Sequence, residues 1–411
     1  MKPLMPREDI QPVILGGDWS TYALAREFYE AFGVTSRVIW PGVVAVIKYS
    51  RFIEHVVVET AGEDDVLAAV KRIAADAADK TVVLIANTDD RVRTVEAICG
   101  RLPENVVYQL SPHELVDRVS DKVSFQRMCA EYGLDVPKTE VVSLAGDEPI
   151  AASEVGFPLV AKPAVSSEYA HLYPKGFQKV YFMHEQAELD RLWADLRAEG
   201  FAGEFLVQEL IEGDDNYMDS ITMYVDSEGE IALRSAAHVI LEDHVPALYG
   251  NPVAMITKPV PELWDKVGAM LKGIGWRGFA NIDLKRDPKT GRAIFMDFNP
   301  RIGANSYYSC AAGVNPMYVL VRDIVDGVHD ESHSIERNVL YKRVPVSLAR
   351  RYVTDPELLE LFDRVVGEGA VANPTRCPDD TLGSRLNGML MERNYIRKFK
   401  RYYPEPTETS F

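Results

Sequence analysis

Several features that would settle the class of this chain at once are scarce in it. Four cysteines in 411 residues (Cys99, Cys129, Cys310, Cys377) stand far apart and form no C-x-x-C pair. That excludes a disulfide framework or zinc knuckle and points to a reducing compartment. Net positive charge is absent: 62 acidic residues against 45 Lys and Arg give −17, the wrong sign for a protein that coats nucleic acid. No apolar run approaches the ~18 residues that a membrane span requires. The opening MKPLMPREDIQPVILGG carries charge and three prolines where a signal peptide needs an unbroken apolar core. The expectation is a cytoplasmic protein with no nucleic-acid partner and no stable membrane insertion.

A dinucleotide fingerprint is missing too. The strand beginning at Val13 runs into Gly16-Gly17-Asp18-Trp19. That run departs from G-x-G-x-x-G and sets a bulky indole where backbone would have to approach pyrophosphate. What surrounds it is a regular alternation. TYALAREFYEAFG reads as a helix closed by Gly33, SRVIWPG and HVVVET as strands, EDDVLAAVKRIAADAAD as a helix and TVVLIAN as a strong strand. This order predicts a parallel α/β layer over roughly the first 115 residues, serving as scaffold or substrate-binding domain.

The centre of the chain reads differently. Ser120 to Gly133 fits a helix with Ser120 or Asp121 as N-cap. Then come the strand of GFPLVAKP, the strand of EFLVQELIEG, a hairpin about Ser227-Glu228-Gly229, and two strands, FANIDLK and IFMDFNP, joined by a short turn. Side chains alternate along a strand, so Asn281 and Asp283 share one face of the first, and Asp297 and Asn299 one face of the second. Pairing across so short a turn would bring Asp283 near Asp297. Two carboxylates held together need a cation or a proton between them. An oxygen-only set of two acids and an amide suits Mg²⁺ or Mn²⁺. Either acid alone could simply face water on a one-sided sheet; both, with Asn299 and then Arg301, favour the metal.

The cations complete the pattern. Lys162 leaves the sheet at the end of its strand. Lys122 starts a helix, where the dipole disfavours a cation by ~0.3–1 kcal/mol and an anionic partner would relieve it. In VQELIEG the backbone can meet an adenine edge, and Asp215 is placed to reach a ribose hydroxyl.

Lys122, Lys162, VQELIEGDD, NIDLK and MDFNPRIG, in that order, resemble the ATP-grasp superfamily of carboxylate–amine ligases. The resemblance covers residues 121 to 310. It implies a mixed α/β and α+β chain: a Rossmann-like domain (1–118), an ATP-grasp domain of two α+β subdomains clasping ATP (119–330, hinge near 208–213), and a C-terminal segment (331–411) packing on or completing it. Carried over residue by residue, Lys122 and Lys162 hold ATP phosphates, with Lys179, His171 and Lys175 in the covering loop. Gln208, Glu209 and Ile211 form the adenine hinge, and Asp215 binds ribose. Asp283, Asp297 and Asn299 hold Mg²⁺ or Mn²⁺. Arg301, with Lys162, serves catalysis by steadying the phosphorylated intermediate. Two departures stand out: Asp297 replaces the usual glutamate, and the covering loop AVSSEYAHLYPKGFQKVYF has Gly176 as its single glycine.

The run DFNPR-x-G-x-NSYY, followed by AAG-x-N, resembles the D-aspartate ligase group. It implies an amino-acid carboxylate joined to the amine of a nucleotide- or lipid-linked wall precursor. Arg234, Arg277 and His238 are candidates for holding the substrate carboxylate, and a homodimer is compatible with the resemblance. Arg393, Arg397 and Lys400 recur at helical spacing, either as a solvated face or as a dock for an anionic precursor. Other amino-acid or dipeptide ligation, carboxylation through carboxyphosphate, and non-catalytic ATP-binding regulation are the competing readings.

Overall fold

The computed structural model describes residues 3–245 and 248–407. The chain folds as two compact units, one formed by Met1–His113, Asp214–Ile282 and Asn299–Phe411, the other by Glu114–Gly213 and Asp283–Phe298. These bounds cut across the three consecutive domains expected from the sequence. The segment 331–411 belongs to the unit of the N-terminal layer. Its aromatic residues Tyr395, Phe399 and Tyr403 share a core with Ile240, Val253 and Leu340, so packing ties distant stretches of chain together.

The N-terminal layer of the first unit is the expected parallel sheet. Strands β1 (Ile10–Leu15), β2 (Ser36–Trp40), β3 (Ile53–Val57), β4 (Thr81–Ala86) and β5 (Val106–Val107) lie in the order β3-β2-β1-β4-β5, all parallel. Alternate residues of β1 enter different cores: Val13 and Leu15 one, Ile10 and Ile14 the other. Both faces of the sheet are thus covered, as parallel sheets require. The helix Trp19–Phe32 starts where the Asp18 carboxylate accepts from the Ser20 and Thr21 N–H groups, and it ends at Gly33 with φ 75°, a left-handed cap that glycine adopts without strain.

The second unit is built on an antiparallel sheet. Strands β6 (Thr139–Ser143), β7 (Leu159–Pro163), β8 (Tyr181–Met183) and β9 (Glu204–Glu209) lie in the order β6-β9-β7-β8. The helix Gln186–Ala198 covers it with Leu189, Leu192, Trp193 and Leu196. The rings of Tyr169 and Trp193 stand edge-on to Phe205 at 5.4 and 5.3 Å, an arrangement that aromatic quadrupoles favour.

The larger sheet of the first unit contains β10 (Met218–Val225), β11 (Ile231–Glu242) and β12 (Pro252–Thr257), antiparallel in that order. The turn between β10 and β11 spans Asp226–Glu230, where the expected hairpin placed it. Strands β13 (Gly278–Arg286) and β14 (Ala293–Asn299) follow, their turn closed by Asp287 N–H on the Arg292 carbonyl at 2.9 Å. The chain passes into the second unit after Ile282 and returns to the first at Asn299. The short strands β15 (His333–Ser334), β16 (Leu340–Lys342) and β17 (Val371–Ala372) complete the sheet. Among the described residues, no helix is long and apolar enough to cross a membrane.

Candidate active site

Asp121 sets the first element of the site. Its side chain accepts from the Ser124 N–H at 2.8 Å and starts the helix Lys122–Glu131. This fixes Lys122 at the first helical position, where the dipole offers a cation nothing. Its ammonium finds compensation in Asp297, 2.8 Å from Oδ1. Asp297 is carried by β14 between Phe298, which is buried and packs edge-on against Phe125 of the same helix, and Met296. The sequence-predicted Lys122 and Asp297 are therefore brought into direct contact.

Lys162 and Lys179 surround the same carboxylate. Burial alone would push the Asp297 carboxyl up. The charges of Lys122 and Lys162, the hydrogen bond from Lys122 and the charge of Lys179 outweigh it and hold the group well below the usual carboxylate range. One edge of the side chain still reaches solvent, with 38% of it exposed. Lys162 pays the opposite way. It is 8% exposed, and burial presses its pKa down to about 8, with Lys122 and Lys179 adding to the effect and Asp297 opposing it. Three lysines thus converge on Asp297, and one of them, Lys162, is a buried ammonium. Like charges crowd in this way at a cost that a multiply charged anion removes.

The covering loop is organised by its own contacts. His171 Nδ1 bonds the Glu168 carbonyl at 2.9 Å, and Lys175 pairs with Glu199 at 2.6 Å. These two candidates for phosphate binding are engaged elsewhere in the unit, which leaves Lys179 as the loop cation that reaches Asp297 electrostatically. The side chains of residues 166, 167 and 170 lie outside the described set.

The hinge segment is held from its flanks. Gln208 on β9 is 1% exposed and donates to the Thr139 hydroxyl at 2.9 Å. Glu209 Oε1 accepts from the Lys138 N–H at 2.8 Å. Ile211 is half-buried. Beyond it, Lys285 donates to the Gly213 carbonyl at 2.7 Å and Lys289 to Glu212 at 2.7 Å. Lys138 and Thr139 belong to no motif and Lys285 closes the NIDLK run, but nothing local in the sequence indicated which partner each would take.

Asp283 is half-buried on β13, the strand beside β14. Two residues beyond Asp297 on β14, Asn299 is the residue at which the chain re-enters the first unit. Its Nδ2 donates to the Asn281 carbonyl at 3.3 Å, and its Oδ1 accepts from Arg301 Nη2 at 3.1 Å. Arg301 Nε donates to Asp89 at 3.1 Å, a contact the sequence did not indicate. The oxygen donors Asp283, Asp297 and Asn299 fit a hard divalent cation in kind. Within the second unit Asp297 faces Lys122, and within the first Asn299 faces Arg301, so a cation at either oxygen would compete with that side chain.

Other candidates are committed to structure. Asp215 is 4% exposed, and its Oδ2 accepts from the Glu242 N–H at 2.9 Å and bonds His244 Nε2 at 3.0 Å. These contacts hold it as an internal anchor, where the sequence suggested a ribose ligand. His238 pairs with Asp219 at 2.6 Å, Arg234 bonds Ser332, and Arg277 bonds the Ser227 and Trp276 carbonyls. Tyr307 and Tyr308 are buried: the first donates to Glu30 and the second to Thr222. The NSYY run therefore packs the first unit; its tyrosines do not stand open for a substrate.

Known proteins bear on this arrangement. No family model matches the chain. It is 28% identical to the D-aspartate ligase of Enterococcus faecium over 410 residues, covering 96% of this chain and 97% of that protein. It is 26% identical to D-alanine–D-alanine ligase B of Xanthomonas campestris over 205 residues, 46% of this chain and 57% of that protein. Among solved structures, N5-carboxyaminoimidazole synthetase of Staphylococcus aureus superposes with a TM-score of 0.59 at 13% identity, over 82% of this chain and 83% of that one. A biotin carboxylase domain from Hydrogenobacter thermophilus gives 0.58 at 13% identity, over 81% and 74%. Fold and full-length likeness agree: the chain has the ATP-grasp fold and is similar from end to end to a D-aspartate ligase.

Proposed function

We propose that this chain activates an amino-acid carboxylate with ATP as an acyl phosphate and joins it to an amine, with D-aspartate as the first candidate substrate. The observation that carries the reading is the lysine cluster: Lys122, Lys162 and Lys179 converge their positive charge on Asp297, with one ammonium buried. A triphosphate balances that charge. The end-to-end likeness to the Enterococcus faecium D-aspartate ligase supports an amino acid as the carboxylate donor.

In this mechanism Lys162 and Lys179 hold the phosphates, and Lys122 exchanges its Asp297 partner for one of them. Gln208, Glu209 and Ile211 border the base. Asp283, Asp297 and Asn299 would hold Mg²⁺, which when bound neutralises phosphate charge and orients the γ-phosphoryl group. Arg301, released from Asp89, steadies the charge on the transferred phosphoryl. A carboxylate oxygen of the amino acid attacks the γ-phosphorus as ADP leaves. The acceptor nitrogen then attacks the acyl carbon, inorganic phosphate departs, and the ammonium proton is lost to solvent. The acceptor fits a nucleotide- or lipid-linked wall precursor. The helix Leu382–Tyr402 exposes Arg393, Arg397 and Lys400 on its outer side as a dock for an anionic molecule of that kind.

Phosphate release from Mg-ATP tests the reading, measured with D-aspartate, L-aspartate or bicarbonate, each with and without an amine such as hydroxylamine. Release that depends on D-aspartate supports it. Release that depends on bicarbonate points to carboxyphosphate chemistry, and no release with any pairing points to a regulatory ATP binder. Precursor binding that does not weaken at high salt rules out the docking role of the helix.

A further inference from the structure

Three guanidiniums in the first unit are nine-tenths or more buried: Arg26 at 5%, Arg343 at 7% and Arg91 at 9% exposure. Two have the partner that burial demands. Arg26 pairs with Glu30 at 2.7 Å and Arg91 with Asp18 at 2.9 Å. Arg343 has no carboxylate within ion-pair distance among the described residues. Its neighbour in the chain, Lys342, takes Glu392 for itself. The Arg343 guanidinium lies 3.3 Å over the Trp19 ring and 5.3 Å from the Tyr395 centroid. The Tyr395 hydroxyl stands between it and Asp243. Stacking on aromatic faces holds a guanidinium in one plane, but it leaves most of the five N–H donors to find acceptors elsewhere.

The position of this group in the fold adds the second observation. Trp19 follows Gly16-Gly17-Asp18 directly at the carboxyl end of β1. In the order β3-β2-β1-β4-β5, the connections leaving β1 and β4 run to opposite sides, so the boundary between these two strands is the topological switch point where open α/β sheets receive ligands. Side-chain contacts lead from there to Arg301. Asp18 holds Arg91, and Arg91 lies over Trp40 at the end of β2, 4.7 Å from its centroid. The helix Asp89–Ile98 carries both Arg91 and Asp89, and Asp89 holds Arg301. Arg91 is thus matched by Asp18 and Arg301 by Asp89, whereas Arg343 reaches Asp243 only through the Tyr395 hydroxyl.

We propose that Arg343, stacked on Trp19, is the subsite for the carboxylate of the amino-acid substrate that is not activated. A planar fork fixed on an indole is preorganised for bidentate pairing with a carboxylate. A dicarboxylic amino acid brings one carboxylate to be phosphorylated and one to be held. This rests on the amino-acid ligase reading and deepens it: it explains selection of a dicarboxylate over a monocarboxylate of the same length.

The test compares wild type, Arg343→Lys and Arg343→Met in two measurements. D-aspartate and an ATP analogue are titrated separately by calorimetry, and kcat/KM is measured for D-aspartate against β-alanine, which keeps the reacting carboxylate and lacks the other. The expected result is a loss of D-aspartate affinity of roughly 10- to 100-fold in both variants, with ATP-analogue affinity within about twofold of wild type. The preference for D-aspartate over β-alanine should collapse in Arg343→Met. Should that variant not fold, Arg343→Lys keeps the charge and still lacks the fork, so its affinity loss decides. Unchanged D-aspartate affinity and unchanged preference overturn the assignment of Arg343. Wild type that binds neither amino acid overturns the ligase reading itself, a different outcome.

Discussion

Two groups of buried ionisable residues in this protein differ in how their charges are met. In the first unit, the helix Trp19–Phe32 buries Arg26, Glu27 and Glu30. Arg26 pairs with Glu30 at 2.7 Å and lies over the Tyr307 ring, Glu30 accepts from Tyr307, and Glu27 accepts from Ser306 at 2.7 Å. In the second unit, Lys122, Lys162 and Lys179 crowd about Asp297. In the first group Arg26 and Glu30 close on each other, while Glu27 has Ser306 as donor and a carboxyl that burial pushes up to about 8. In the second, three lysines act on Asp297, and burial presses the Lys162 ammonium down to about 8. The first meets a buried cation with an acid of its own helix, whereas the second gathers cations that, on the proposed reading, meet phosphate.

The largest test of that contrast is Asp297→Asn. It removes the one anion that holds the lysines apart and one oxygen of the proposed metal site. Turnover should fall by about 10²–10³ or more, while the melting temperature stays near that of wild type. Full ADP formation in this variant would dispose of the assignment. Next comes a pair of stability measurements. Arg26→Met strands Glu30 in the closed cluster and should destabilise the first unit by about 3–5 kcal/mol in denaturant titration. Lys162→Met exchanges a burial-strained cation for an apolar side chain of similar length and should not destabilise the protein. It should still cut ATP-analogue affinity severely. Equal destabilisation by the two would erase the distinction.

This difference also marks how far the sequence could be read. Lys122, Lys162, Asp283, Asp297, Asn299 and Arg301 could be singled out because strand alternation and helix starts are local and a charge on an apolar strand is conspicuous; the structure brings Lys122 and Asp297 into contact. The parallel layer was legible for the same reason: β1, β4 and their helices are periodic over short windows. What was not legible is pairing at long range. Asp89 holding Arg301, Thr139 holding Gln208 and His244 engaging Asp215 join residues 212, 69 and 29 positions apart, and no local pattern announces them. The NSYY run carried a resemblance, but nothing local told where the polar tips of its tyrosines would point. Burial turned those tips toward Glu30 and Thr222.

A pH series separates the two clusters in one window. Lys162 keeps its proton below about 8, and bound phosphate would hold that proton to higher pH. ATP affinity should therefore be full below pH 8 and fall above it, by up to about tenfold per unit. Glu27 behaves in the opposite sense. Burial, aided by the charge of Glu30 and opposed by Ser306 and Arg26, raises its carboxyl from 4.5 to about 8. The folded state then binds the proton more tightly than the unfolded one. The stability this supplies is complete below pH 4.5 and is lost as pH rises through about 8. Lys162→Met should flatten the affinity profile and leave the stability profile alone, and Glu27→Gln should do the reverse. A single variant that flattens both would mean the clusters are not independent.

The smallest effect is expected at Asp89, where the comparison is sharpest because an ion pair exists and yet should matter little. Arg301 Nε meets Asp89 Oδ1 at 3.1 Å, but the Asp89 side chain is 60% exposed, and pairs this open to water contribute about 0–1 kcal/mol. Asp89→Asn should leave the melting temperature unchanged within error. If Arg301 must leave Asp89 to reach the transferred phosphoryl group, removing the charge of Asp89 lowers the cost of that exchange. kcat should then rise or hold, within about threefold, with ATP affinity unaltered. A fall in kcat of tenfold or more would assign Asp89 a different role, holding Arg301 in its working position, and Arg301 would then belong with the closed cluster, its charge already met by the protein.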